Sequence, residues 1–307
     1  MKTNLFNSRS WLSAVWAVGA GVLAVACTGQ LVHASLVADW NASSLSTGAL
    51  TAGNTWTDSV NSISATAAGT GLSVNNSNGQ FNGHNYISFG GAGNFGVAAG
   101  TLAQPTSDYS ITVVFDTTTT NNAGDFSGNN DWYNANGLVG NEQPGIQTDW
   151  GFGLADNSQG VVLGEGNPTA NTDQEDRANF TYTGGNTIIA TATRDSSTGA
   201  VTIFINGVDV AQSYLPSGTT TMDTADRNTS TGFLIGAMDQ YNPIARYFSG
   251  NIAEVRMFNS VVNGTNEYNS LATYYGLQQV ATPEPATFGL CASGAMGLLL
   301  LKRRKMA

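Results

Sequence analysis

Several things are scarce in this 307-residue chain. It has 2 cysteines, 2 histidines and 7 prolines, and only 10% of its residues are charged, against about 25% in an average soluble domain. Both cysteines lie near the ends, Cys27 and Cys291. The segment between residues 35 and 282 therefore excludes disulfides, a thiolate zinc site and a cysteine nucleophile. One histidine, His84, remains there beside Asn85 and Tyr86, and it reads as a turn or rim residue rather than a general base. Lysine is absent from that segment, where five arginines face twenty acids for a net charge of −15. A surface so acidic repels phosphate backbones and anionic headgroups, which excludes nucleic acid and anionic lipid as main partners. No Gly-x-Ser-x-Gly elbow, phosphate loop or His-Glu-x-x-His motif occurs. What is abundant is glycine, 37 residues, and hydrophobic residues, 41%. The glycines follow no three-residue period, so the chain is not collagen-like, and the apolar content is too high for disorder.

The missing lysines are at the ends. Lys2 and Arg9 precede an apolar run from Trp11 to Ala26, and Val32-His33-Ala34 then offers a cleavage site before Ser35. This is the layout of a secretory signal over residues 1–34. At the other end come Pro283-Glu284-Pro285, an apolar stretch from Phe288 to Leu301, and Lys302-Arg303-Arg304-Lys305. As a helix the stretch is about 21 Å long, short for a hydrocarbon core of about 30 Å, with basic residues to hold its end cytoplasmic. The tail, residues 281–307, resembles the PEP-CTERM sorting signal of Gram-negative bacteria. Its sorting residues are Pro283, Glu284, Pro285, Arg303 and Arg304. The resemblance implies an exosortase-type membrane protease as processing partner. It also implies transient anchoring in the inner membrane, then delivery to the cell surface or an exopolysaccharide matrix.

No linker, charge block or repeat divides residues 35–280, which read as one domain. Short β-rich runs separated by Gly, Asn, Ser and Thr clusters predict an all-β sandwich. The expected strands are Tyr86–Phe89, Ser110–Phe115, Gly151–Leu154, Val161–Leu163, Thr187–Thr193, Val201–Ile205, Phe233–Ile235 and Ile252–Phe258. Asn206-Gly207 supplies the two positive-φ residues of a type I′ turn. With a turn at Ser196–Gly199 it makes a three-strand meander. One helix is expected, Glu267–Tyr275, with Tyr268, Leu271 and Tyr275 on one face, Thr265 as cap and Gly276 as stop. Gly90-Gly91-Ala92-Gly93 and the following Asn94-Phe95-Gly96 read as a turn. Strand alternation places Ile252, Glu254 and Arg256 on one side and Ala253, Val255 and Met257 on the other. Glu254 and Arg256 then form a structural ion pair, with Arg194 nearby.

Five segments together carry a second resemblance. They are Phe81–Phe89, Ser107–Phe115, Thr193-Arg194-Asp195 followed by Gly199 to Asn206-Gly207, Leu234-Ile235-Gly236, and Phe248–Phe258 with the closing Tyr274-Tyr275-Gly276-Leu277. In order and spacing they resemble laminin-G-like, concanavalin-A-like domains. The resemblance implies a jelly-roll sandwich of two antiparallel sheets, a lectin-like binding role and, in many members, calcium.

Glycoside hydrolysis is the enzymatic alternative on such a fold and needs two carboxylates flanking a bond. Laminarinase-like enzymes carry Glu-x-Asp-x-x-Glu on a strand. Glu142, Glu165, Glu175, Glu254 and Glu267 all lack that sequel, so any pair must come from separate loops, Glu142 and Asp149 first. Calcium takes six to eight oxygen ligands. The loops around Asp125 and Asp131, and around Asp173 and Asp176, offer them, as does Asp223–Asp226. Asp131, Trp132, Tyr133 and Trp150 combine aromatic rings with polar edges, which suits a sugar. The expected function is a surface-sorted binding module for a polysaccharide or a surface protein, without a catalytic set. The alternatives are a hydrolase with dispersed carboxylates and a purely structural matrix protein.

Overall fold

A computed structural model describes residues 35–76, 79–117, 132–155, 160–180, 184–213, 222–227, 230–240 and 244–281. Asp125, Asp131 and the sorting residues Pro283, Glu284, Pro285, Arg303 and Arg304 lie outside them.

Two antiparallel sheets face each other. The first runs β15 (Val208–Asp209), β14 (Ala200–Ile205), β13 (Ile188–Asp195), β8 (Tyr109–Asp116), β20 (Ser249–Phe258), β6 (Tyr86–Gly90), β5 (Leu72–Asn75), β2 (Gly48–Leu50); β1 (Leu36–Asn41) pairs with the C-terminal half of β20. The second runs β16 (Ala211–Ser213), β12 (Thr172–Asn179), β11 (Gly160–Asn167), β10 (Trp150–Ala155), β9 (Asn136–Gly140), β17 (Phe233–Ile235), β7 (Gly93–Val97), β4 (Ser64–Gly69), β3 (Thr55–Thr57). A small hairpin, β18 (Ala237–Asp239) and β19 (Ala245–Tyr247), forms a two-stranded sheet of its own. This is the expected all-β jelly-roll sandwich with one short helix, α1 (Gly264–Ala272). Residues Ala34–Ala281 form one compact unit.

The eight expected strands are present, and the meander β13–β14–β15 turns at Asn206 and Gly207 with φ of 49° and 79°. Trp40, Trp56, Phe95, Phe115, Phe152 and Phe233 are fully buried between the sheets. Burial of a side chain of this size is worth about 1.5–3 kcal/mol. The central strand β8 is buried at every position. Ile111, Val113 and Phe115 face the other sheet, while Val114 packs under α1 with Tyr268, Leu271 and Tyr275.

Three sequence expectations are corrected. Asn94-Phe95-Gly96 is strand, because β7 pairs with β4 on one side and β17 on the other; the turn is confined to the residues before it. Helix α1 starts earlier, and its cap is Asn263, whose Oδ1 accepts from the Asn266 N–H at 2.9 Å. Thr265 instead donates to the Gly207 carbonyl at 2.7 Å, tying the helix to the meander. Third, β20 shifts register against β8 between Ile252 and Glu254. That bulge adds one residue to the strand and breaks the alternation. Ile252 joins Val255 and Met257 in the inter-sheet core, and Ala253 packs under α1. Glu254 and Arg256 share a side as expected, with Arg256 Nε donating to Glu254 Oε1 at 2.5 Å. Arg194 is not part of that pair; it lies between the sheets.

Candidate functional site

The outer face of the second sheet has a floor of glycine. Gly137 and Gly140 on β9, Gly151 and Gly153 on β10, and Gly164 and Gly166 on β11 make it up, Gly151 pairing with both Gly140 and Gly164, and Gly153 with Gly137. A Cβ at Gly164 would lie 1.8 Å from Trp132 Cγ, and one at Gly151 would lie 2.1 Å from Met238 Sδ. The floor is bare so that the Trp132–Asn134 turn and the β18 hairpin can sit on it. Trp132 is consequently fully buried, against Ala135, Val162 and Met238. Trp150 is also fully buried, in the inter-sheet core beside Tyr109 and Phe233. The expectation of exposed indoles at Trp132 and Trp150 is therefore corrected: neither ring can stack on a sugar while so packed. Tyr133, half-buried, stands edge-on to Trp132.

Carboxylates gather where the floor ends. The segment from Asn141 to Asp149 joins β9 to β10 and is tied down at both ends. Asn141 N–H donates to the Trp150 carbonyl, Asn141 Oδ1 accepts from the Trp150 N–H, both at 2.9 Å, and Asp149 Oδ2 accepts from the Gln143 N–H at 3.1 Å. Glu142 is held beside Asp239 by a parallel bridge, its N–H donating to the Met238 carbonyl and its carbonyl accepting from Gln240. Gly166 donates to the Asp149 carbonyl, and Asp173 pairs with Gly166 across β11 and β12. Glu142, Asp149, Asp173 and Asp239 thus share one end of the sheet. Burial, then the charge of Asp239 and a hydrogen bond to it, push the Glu142 carboxyl up to about 8. Burial, reinforced by Asp173, pushes Asp149 up to about 7, against the pull of the Gln143 N–H. Three buried polar atoms of this loop, Asn141 Nδ2, Gln147 Oε1 and Asp149 Oδ1, have no hydrogen-bond partner among the described residues. A carboxyl that keeps its proton at neutral pH can donate to a hydroxyl while its ionised neighbour accepts.

Glu142 and Asp149, paired in the sequence reading, are thus brought together. Asp239 carried no sequence signal; the hairpin delivers it. Asp173 and Asp176 were expected to ligate one ion from a loop. They lie instead in β12, three residues apart and so on opposite faces. Asp173 belongs with Glu142 and Asp149, whereas Asp176, pushed up to about 6 by burial, senses Asp209 and Glu175. This stretch is strand despite its polar residues because β11 pairs with it along all eight positions. Among the described residues no group of three or more acids, histidines or cysteines is arranged to hold a metal ion.

Other ionic groups are occupied. Glu165, fully buried, accepts from Tyr109 at 2.5 Å and Arg194 Nε at 2.9 Å, with Arg227 Nη1 at 3.6 Å. Arg194 also donates to the carbonyls of Ser107, Asp223 and Ala225. Asp223 pairs with Arg227 at 2.7 Å. This network clamps the two sheets and the 223–227 segment; Asp223 Oδ2 is its one buried oxygen without a hydrogen-bond partner among the described residues. The glycine floor was legible in the sequence as Gly-x-x-Gly once and Gly-x-Gly twice, in three successive strand-like runs.

No family model matches the sequence, and no curated protein matches it. Among solved structures, the chain is similar to domain 4 of AbnA, an extracellular GH43 arabinanase from Geobacillus stearothermophilus, solved with arabinotriose. The TM-score is 0.53 at 16% identity, over 78% of this chain and 98% of that domain. The CBM40 of the Ruminococcus gnavus IT-sialidase, bound to α2,3-sialyllactose, aligns at a TM-score of 0.44 and 14% identity, over 61% of this chain and 96% of that one. Trypanosoma rangeli sialidase with sialic acid aligns at 0.46 and 15% identity, over 77% of this chain and 32% of that one. The likeness is one of fold.

Proposed function

We propose that this chain is an exported glycan-binding sandwich, sorted to the cell surface or the surrounding polysaccharide matrix. The observation that carries it is the carboxyl cluster at the end of the glycine floor. Glu142 and Asp149, only 8% and 3% accessible, have carboxyls pushed up to about 8 and about 7, and with half-buried Asp173 and Asp239 beside them the rim of this cluster offers donors and acceptors to sugar hydroxyls. The arabinotriose held by the arabinanase domain supports a sugar ligand on this fold. The two ends supply the address: signal cleavage before Ser35, and processing of the Pro283-Glu284-Pro285 tail by an exosortase-type protease.

The full-length chain is tested on a glycan array together with a reducing-sugar assay. Binding without sugar release supports the reading. Release abolished by Glu142→Gln would make the chain a hydrolase with dispersed carboxylates. Silence in both would leave a structural matrix component. Sequencing the secreted protein from both ends checks the address.

A further inference from the structure

The aromatic residue that does face solvent lies on the other sheet's side of the molecule. Among the described residues Tyr274 is the one exposed aromatic side chain, 38% accessible. It follows α1 and stacks on His84, ring centroids 3.6 Å apart and planes 15° apart. Tyr275 stands edge-on to it at 4.9 Å.

Three separate segments fix this pair. The Tyr274 hydroxyl donates to Ser43 Oγ at 3.1 Å. Asn82 Nδ2 donates to the Tyr274 carbonyl at 3.0 Å. Tyr275 is anchored beneath by its hydroxyl, which donates to buried Glu254 Oε2 at 2.5 Å. The turn that delivers Asn82 and His84 is strained: Phe81, Asn82 and Gly83 run consecutively in the left-handed region, at φ of 46°, 55° and 80°. Each non-glycine residue so held costs about 1–3 kcal/mol, and such strain concentrates at functional positions. Here buried Phe81 holds it, packed on Tyr86 and Tyr275.

The shelf also has unused polar capacity. The His84 imidazole makes no side-chain hydrogen bond to the described residues, so one ring nitrogen can donate and the other accept. The exposed Asn82 amide spends one donor on Tyr274 and keeps its oxygen. A rigid aromatic surface edged by an amide and an imidazole fits a ring with one C–H face and a rim of hydroxyls.

We infer that Tyr274 and His84, with Asn82 at their edge, form a stacking shelf for a neutral sugar ring, a second glycan contact away from the carboxyl cluster. This rests on the reading of the chain as a glycan-binding module and adds a place to it. Neutral sugar is the class because the neighbouring charges are already spent: Arg256 binds Glu254 and Glu267 at 2.5 and 3.2 Å.

The full-length chain is titrated with arabinotriose, cellotriose and xylotriose, and the same titrations are run on Tyr274→Ala, Tyr274→Phe and His84→Ala. Tyr274→Ala should weaken the best ligand about tenfold, the loss expected of a binding hot spot, with Tyr274→Phe close to wild type. A flavin-sensitised NMR experiment on the wild type reads tyrosine accessibility without any substitution. The Tyr274 signal, assigned by its loss in Tyr274→Phe, should be quenched by bound sugar. If the wild type binds a sugar, Tyr274→Ala binds it equally and Tyr274 stays dye-accessible, the shelf is overturned while the glycan reading stands. If Tyr274→Ala misfolds, the wild-type quenching alone decides. If the wild type binds none of the three neutral sugars, the shelf is overturned, and the glycan array alone decides the wider reading.

Discussion

Gly164 lies directly beneath the Trp132 indole, with room for no more than a hydrogen: a Cβ there would meet Trp132 Cγ at 1.8 Å and Cβ at 2.2 Å. The contact explains why a tryptophan in a polar loop is buried, as the Met238 contacts explain the glycines of β9. Gly164→Ala should therefore lift or expel the indole. Overpacking typically costs about 1–3 kcal/mol, read as a lowered urea midpoint. The Trp132 fluorescence, isolated by comparison with a Trp132→Phe background, should move to the red. Unchanged emission and stability would mean that the turn does not sit on the floor.

The carboxyl cluster makes stability fall as pH rises. Folded Glu142 keeps its proton up to about 8 and folded Asp149 up to about 7. Unfolded, they release theirs near the ordinary values of 4.5 and 3.8. Between those limits the folded state binds more protons, so the slope of stability against pH is negative. The contribution is complete below about 4 and is lost as pH rises through 8. Thermal melts from pH 5 to 9 should show a declining midpoint, and Glu142→Gln with Asp149→Asn should make the decline shallower, Asp39 and Asp176, pushed up to about 7 and about 6, keeping the remainder. Parallel profiles for the two proteins would show both carboxyls ionised throughout.

Arg194 should tolerate no neutral replacement alone. Arg194→Leu removes the donor to the Ser107 and Asp223 carbonyls and to fully buried Glu165 Oε2, while the Ala225 carbonyl keeps Arg227. Removing one member of such a pair costs about 3–5 kcal/mol because the other charge is left buried. The double variant Arg194→Leu, Glu165→Leu should recover part of that loss in urea denaturation. A double variant worse than the sum of its parts would contradict this account.

The cap of α1 separates two residues that sequence alone confuses. Asn263→Ala removes the side-chain acceptor for the Asn266 N–H and should cost about 1 kcal/mol, seen as a lower melting temperature. Thr265→Ala should act elsewhere, loosening the hold on Gly207. Amide exchange would then rise at the Asn206–Gly207 turn rather than in the first turn of the helix.

The sequence by itself determined the all-β class, the eight strands with period-two or continuous apolar patterns, the Asn206-Gly207 hairpin and the helix face of Tyr268, Leu271 and Tyr275. These are local signals, since alternation, turn chemistry and helical spacing are properties of a short stretch of chain. It also singled out Glu142 and Asp149. Only the tertiary structure decided the rest. β12 is a strand through its neighbour's hydrogen bonds, against the propensity of its own acids. The bulge at Ile252–Glu254 reassigned every later side of β20, because one inserted residue inverts a period of two. Asp239 reached the carboxyl cluster from nearly a hundred residues away on a hairpin with no composition signal of its own. Trp132 and Tyr274 show the difference most plainly. Neither aromatic tells its surroundings locally: Trp132 is buried because Gly164 and Gly151 on other strands make a place for the indole, and Tyr274 stays 38% accessible with His84 stacked on one face.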